Sequence, residues 1–333
     1  MPDPMTLPGR VAVVGGGVIG AGWASRFALH GVDVVVADPA PIAGDVVRST
    51  LDDAVSAWDR LDLPRPTPGE VGVVGSLEQA VADAEFVQEA VPERLDLKRS
   101  VVADIEAVAG ADVVIASSTS GLLPSDLQDG MARPERLVVG HPFNPVYLLP
   151  LVEVVGGRST SEEHLQRAEA LYEELGMRPL RVRIEIDAFI ADRLMEALWS
   201  EALWMVNDGV ATTEEIDMAI THGFGLRWAQ MGVFETYRTA GGPGGLRHFL
   251  EQFGPTLDLP WSRLTDVPAL DDALVDRIVE QSDAQTGGRD LHGVLRERDH
   301  NLVGILRVLE SNDWGAGRDL AAMRERLERG GDH

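Results

Sequence analysis

The 333-residue sequence predicts an α/β protein in which a doubly wound, mostly parallel sheet occupies the first half and an all-α domain follows it. Three observations carry this. Short β-branched runs alternate with amphipathic helical stretches up to about residue 186, as in a parallel sheet covered on both faces. A glycine cluster falls at the join between the first run and the first helical stretch. After Asp187 the alternation stops, and long helical patterns, most of the tryptophans and Gly-rich joints replace it. The expected boundary is therefore 186/187, giving domains 1–186 and 187–333, in line with the roughly 100–200 residues that domains commonly hold.

In chain order, residues 11–14, 34–37, 71–74, 86–88, 113–116 and 137–140 read as strands. Two more runs, 151–155 and 180–184, flank a helix starting near Ser161, with Glu162 and Glu163 in the first turn where the helix dipole favours acids. In the second half, 240–245 reads as a turn between helices and 255–268 as an irregular connection. Paired charges over 271–329 suit a solvated face or a subunit contact.

Composition narrows the function classes. Hydrophobic residues make up 44%, but no segment reaches the roughly 18 uninterrupted apolar residues of a membrane span, so no membrane association is expected. Residues 1–10 lack the basic and long apolar regions of a secretory signal, and a cytoplasmic location is expected. The absence of cysteine excludes disulfides, thiolate nucleophiles and thiolate metal sites, and no metal is expected. A formal net charge of -25 repels phosphate backbones, which argues against nucleic acid as a partner. The same charge favours a cationic or zwitterionic small molecule, although an acidic surface also serves solubility. All 29 basic residues are Arg except Lys98, which marks either a need for a compact ammonium or a chance survival.

Directly after the first strand comes Gly15-Gly16-Gly17-Val18-Ile19-Gly20, leading into the helical stretch 21–30. Gly15 suits the tight turn, Gly17 close approach of backbone to a pyrophosphate, and Gly20 close helix packing. The phosphates then lie at the positive end of the helix. This is the Rossmann-type dinucleotide fingerprint. Asp38 ends the second strand, 18 residues past Gly20, where a carboxylate accepts ribose hydroxyls and repels a 2′-phosphate, so NAD is the expected cofactor.

Open parallel sheets place their chemistry at the carboxyl ends of strands. The fifth strand runs into Ser117-Ser118-Thr119-Ser120-Gly121 and the sixth into His141-Pro142-Phe143-Asn144-Pro145. Oxidising an alcohol requires a base for the hydroxyl proton, and among eight histidines His141 alone sits at such a strand end. Glu153 on the next strand could accept the other ring N–H.

These residues resemble the 3-hydroxyacyl-CoA dehydrogenase family over nearly the whole chain. The likeness runs through 11–22, QEAVPERLDLK at 88–98, 117–121, HPFNPVYLLPLVEVVGG at 141–157 and FIADRL at 189–194. It implies that Ser120 hydrogen-bonds the substrate oxygen, that His141 is the general base with Glu153 its partner, and that Asn144 is a polar contact near the nicotinamide. It also implies cofactor contacts from Glu93 and Lys98, and a homodimer formed through the helical half. Asp192 departs from the family's usual Asn and suggests a different substrate charge.

Family members acting on CoA esters tend to carry lysines after the second strand, whereas 39–63 holds five Asp, two Arg and no Lys. The segment GFGLRWA at 223–229 is instead similar to members acting on free hydroxy acids. Its Arg227 could clamp a carboxylate, or form an ordinary ion pair. With SSTSGLLPSDL, FIADRLMEALW and VNDGVATTEEID, the likeness implies a carnitine-like 3-hydroxy acid bearing a trimethylammonium group. Such a nitrogen donates no hydrogen bond and is met by aromatic faces or carboxylates. Asp192 is the expected contact. Glu196, Trp199 and Leu203 share its helical face, and Phe143, Trp228, Phe234 and Tyr237 are further candidates, although core packing explains such a stripe equally. L-gulonate, a 3-hydroxyacyl-CoA, or an idle NAD site in a crystallin-like protein stay open as alternatives.

Overall fold

The structure, a computed structural model, describes residues 7–64, 66–229, 232–240, 249, 271–274, 276 and 291–330. Strands β1 (Arg10–Val14), β2 (Asp33–Ala37), β3 (Val71–Val74), β4 (Phe86–Glu89), β5 (Val114–Ser117), β6 (Leu137–Pro142), β7 (Leu151–Gly156) and β8 (Arg178–Val182) form one sheet in the order β3-β2-β1-β4-β5-β6-β7-β8. Every pairing is parallel except β6 with β7, which are joined by a short connection and run antiparallel. The Rossmann-type, mostly parallel fold expected from the alternation is thus observed.

Helices α1 (Val18–Leu29), α2 (Ala43–Arg60), α3 (Leu77–Val81), α4 (Leu95–Val108), α5 (Pro124–Leu127) and α6 (Glu162–Glu174) cover the sheet. Their apolar sides form two layers of core. Trp23, Phe27, Phe86 and Tyr172 anchor one layer, while Val87, Val102, Ile105 and Ile115 anchor the other. Full burial of each large side chain contributes roughly 1.5–3 kcal/mol. Ser161 caps α6 by accepting from the His164 N–H, and Glu162 and Glu163 lie in its first turn.

Several boundaries differ from the sequence expectation by one to three residues. Helix α1 begins at Val18, because Gly17 already serves as its N-cap and the Ala21 N–H bonds to the Gly17 carbonyl. Strand β6 extends through His141 and Pro142, since its antiparallel pairing with β7 continues at His141↔Glu153 and Pro142↔Val152. Strand β8 starts two residues before position 180. Gly176, at φ +66°, ends the preceding turn, and the Arg178 N–H bonds to the Pro150 carbonyl at once.

Packing divides the chain into two units. The first comprises 1–192, 299–312 and 316–333, so most of the two closing helices, Leu291–Ser311 and Ala316–Gly330, belongs to it. Leu306, Leu320, Met323 and Leu327 complete a cluster with Leu29, Trp58 and Tyr147, and the Tyr147 hydroxyl donates to Asp299 at 2.5 Å. Paired charge in these helices therefore lies beside a buried apolar stripe.

The second unit comprises 193–298 and 313–315. Its described part includes most of α7 (Ala191–Asn207), then α8 (Thr213–Ala219), α9 (Gly225–Trp228) and α10 (Val233–Ala240). A reciprocal capping box between Thr212 and Glu215 starts α8. All of 255–268, and 240–245 beyond Ala240, lie outside the described residues. Among the described residues, no helix is long and apolar enough to cross a membrane.

Candidate active site

The glycine turn and the ends of β1, β2, β4 and β5 enclose a cleft of about 660 Å³. Gly15, Gly17, Val18, Ile19, Asp38, Glu93 and Ser120 all line it. Gly15 adopts φ +106°, and a Cβ there would lie 2.6 Å from the Ala90 carbonyl oxygen, so only glycine makes this turn. A Cβ on Gly20 would come within 1.8 Å of the Gly15 carbonyl oxygen, which is why the helix can start so close beneath the loop. Gly17 has open space where a Cβ would stand, leaving backbone accessible at the positive end of α1. The Asp38 carboxylate is braced by the N–H groups of Gly16 at 2.7 Å and Ala40 at 2.8 Å. These features suit a dinucleotide, with pyrophosphate at the helix start and a ribose at Asp38.

Glu93 is held on the far wall. One of its oxygens accepts from the Thr119 hydroxyl at 2.5 Å and from the backbone N–H groups of Ser120 and Gly121. Ser120 is exposed at this wall. Lys98 is 1% exposed, and its ammonium donates to both oxygens of the fully buried Glu89 at 2.9 and 3.1 Å and to the Val91 carbonyl at 3.0 Å. Ser117 and the Val91 N–H complete the shell around Glu89. The Lys98 ammonium lies 3.4 Å from Glu93 but is absent from the cleft lining, so it meets the cleft through Glu93.

His141 and Glu153 face each other across the antiparallel β6–β7 pair. His141 Nδ1 lies 2.9 Å from Glu153 Oε2, with the two side chains 6% and 0% exposed. A carboxylate only accepts, so Nδ1 carries the proton and Nε2 of the neutral ring offers a lone pair. The other Glu153 oxygen accepts from the Ile190 and Ala191 N–H groups at the start of α7, at 2.9 and 3.1 Å. Three donors thereby satisfy this buried carboxylate. Phe143 and Phe189 wall the imidazole, their ring centroids 5.0 and 5.8 Å away. Ala188 and Phe189 hold left-handed φ values of 61° and 47°, a tight bend that turns the chain into α7.

Asp192, in the first turn of α7, places Oδ2 3.7 Å from His141 Nε2. The imidazole thus stands between two carboxylates, one on each nitrogen side. Asn144 is exposed just beyond β6. Arg227 and Trp228 are exposed on α9 of the second unit, as are Glu196 and Trp199 on α7 and Phe234 and Tyr237 on α10, whereas Leu203 is buried. Phe224 and Trp228 contact each other within that unit at 4.5 Å. Sequence reasoning missed Glu89, although it ends β4 inside the QEAVPERLDLK segment, and it missed the helix-start N–H groups on Glu153, which leave no side-chain signal.

A glycine-turn cleft with an acid at the end of β2, next to a carboxylate-steered imidazole at a neighbouring strand end, defines the class of NAD-dependent dehydrogenases acting on a CH–OH group. The family model of the 3-hydroxyacyl-CoA dehydrogenase NAD binding domain matches residues 10–185, and that of the C-terminal domain matches 189–273. The chain belongs to the 3-hydroxyacyl-CoA dehydrogenase family, and its cofactor is NAD.

An L-carnitine dehydrogenase/betainyl-CoA thioesterase of Agrobacterium fabrum is 54% identical over 319 residues, which is 96% of this chain and 65% of that protein. An L-carnitine dehydrogenase of Mesorhizobium japonicum is 50% identical over 320 residues, 94% of this chain and 88% of that one. The chain thus spans about two thirds of the length of the two-function relative. Among solved structures, a 5-formyl-3-hydroxy-2-methylpyridine 4-carboxylic acid 5-dehydrogenase superposes with TM-score 0.77 at 28% identity, covering 92% of this chain and 99% of that one.

Proposed function

We propose that the chain oxidises the 3-hydroxyl of L-carnitine to 3-dehydrocarnitine. The observation that carries this reading is the second carboxylate at the imidazole: Asp192 Oδ2 stands 3.7 Å from the nitrogen that receives the hydroxyl proton. In carnitine the quaternary nitrogen is two bonds from the carbinol carbon. A hydroxyl resting on His141 Nε2 therefore brings a permanent cation to Asp192. The 50–54% identity to proteins named L-carnitine dehydrogenase supports the same substrate.

In this mechanism Ser120 and His141 Nε2 hold the 3-hydroxyl, and His141 takes its proton as the carbinol hydrogen departs with its electron pair. NAD, when bound, supplies the hydride acceptor. Glu153, fixed by its two backbone donors, keeps the imidazole in the Nδ1–H tautomer and stabilises the imidazolium that forms. Asn144 is assigned a polar contact near the nicotinamide, and Arg227 a two-pronged clamp on the substrate carboxylate.

NADH absorbance followed with L-carnitine, D-carnitine, L-gulonate and 3-hydroxybutyryl-CoA in parallel tests the reading. Reduction with L-carnitine alone supports it. Reduction only with the CoA ester or with gulonate replaces the substrate, and none with any of the four points to an idle site. For Asp192→Asn, the KM for L-carnitine is expected to rise roughly tenfold, about 1.4 kcal/mol, with NAD affinity unchanged. An unaltered KM would remove the cation-binding role.

A further inference from the structure

Ser118 follows β5 directly, is partly exposed, and lines the cleft together with Gly15, Ala90 and Ser120. Behind it stands a buried polar array. The Ser118 hydroxyl oxygen accepts from the Trp23 indole N–H at 3.1 Å and from the Gln88 amide nitrogen at 2.8 Å. Trp23, Gln88 and Tyr172 are all fully buried.

The direction of every bond in this array follows from donor and acceptor chemistry. An indole N–H only donates. The Gln88 amide orients itself by its other contacts: its oxygen accepts from the Tyr172 hydroxyl at 2.8 Å, and its nitrogen faces the Gly140 carbonyl at 3.4 Å. A flipped amide would set oxygen against that carbonyl. Burial pushes the Tyr172 hydroxyl above its ordinary range, against the opposing pull of its Gln88 bond, so it stays a donor. Both Ser118 lone pairs are therefore filled, and the hydroxyl has only its proton left to offer. Among the described residues no acceptor takes that proton, and the exposed side of Ser118 is the cleft.

The fold also says which part of the dinucleotide arrives there. Along the sheet order, β5 lies between the β1 glycine turn and β6, which carries His141. Gln88 bonds to the carbonyl of Gly140, the residue before His141, so Ser118 stands on the base side of the pyrophosphate site. A Cβ at position 140 would fall 2.0 Å from the Tyr172 hydroxyl oxygen, so the array presses on the bare backbone of β6. A neutral donor fixed at this point matches an uncharged carbonyl.

We propose that Ser118 donates to the carboxamide oxygen of the nicotinamide, and that Trp23, Gln88 and Tyr172 are positioning residues that aim its proton. The cost of burying an amide and a phenol in the sheet core is offset by a ring held in one orientation beside His141. This inference rests on NAD as cofactor and not on carnitine as substrate, so a binding measurement separates its failure from that of the substrate assignment.

The test compares Ser118→Ala with the wild-type protein by equilibrium binding of NADH, of ADP-ribose, which lacks the nicotinamide, and of reduced thionicotinamide adenine dinucleotide, whose sulfur is a poor acceptor. The variant should bind NADH about tenfold more weakly and ADP-ribose unchanged, the latter also reporting an intact fold. It should also lose most of the wild-type preference for NADH over the thio analogue. No NADH deficit, or an equal deficit with ADP-ribose, would overturn the assignment. Should the variant fail to fold, equal wild-type affinity for NADH and the thio analogue overturns it, and a clear preference for NADH supports it.

Discussion

Replacing His141 by Ala is expected to lower turnover by roughly 100-fold or more while NADH binding persists, because proton removal in the transition state is commonly worth about 10²–10⁴ in rate. The loss should appear in kcat, since His141 is buried and stands outside the glycine-turn cleft lining. Glu153→Gln should be comparably damaging for a different reason. The amide oxygen would accept from Ile190 and Ala191 N–H, turning the NH2 group toward His141 Nδ1 and forcing the proton onto Nε2. The ring would then present a donor where the reaction needs a lone pair. Single-turnover rates and NADH titration check both variants; a fully active His141→Ala protein would remove the base assignment.

Truncating Lys98 to Ala is expected to destabilise the first unit by about 3–5 kcal/mol, the usual consequence of stripping one partner from a buried ion pair. Glu89 is 0% exposed and would be left with only the Ser117 hydroxyl and the Val91 N–H in contact. Thermal and urea unfolding of the cofactor-free protein read this, each kcal/mol moving Tm by about 2–4 °C in a domain of this size. If Lys98 acted chiefly as a direct cofactor contact, NADH affinity would fall and unfolding would stay put. Arg is not expected to rescue, since its planar fork cannot replace an ammonium that meets two carboxylate oxygens and a carbonyl from one point.

These two expectations differ in how far the sequence alone leads to them. Its solitary status drew attention to Lys98, and family resemblance attached a cofactor role to it. The buried partner became visible only with the ends of β4 and α4 in place, because two side chains nine positions apart meet there through a turn no periodicity encodes. His141 and Glu153 were easier. They lie 12 residues apart on adjacent strands, and a short antiparallel connection makes such neighbours face each other.

The alternation of β-branched runs, the glycine turn, Asp38 and the strand-end histidine were therefore determined by local sequence, since each depends on the conformation of a few consecutive residues or on one hairpin-like pairing. The order of the eight strands, the reversal at β7, the seat of Lys98, the N–H groups of Ile190 and Ala191 on Glu153 and the approach of Asp192 to His141 were decided by tertiary structure. Those features join elements far apart in the chain, and which elements become neighbours depends on hydrogen bonding and apolar burial summed over the whole sheet rather than on any one segment.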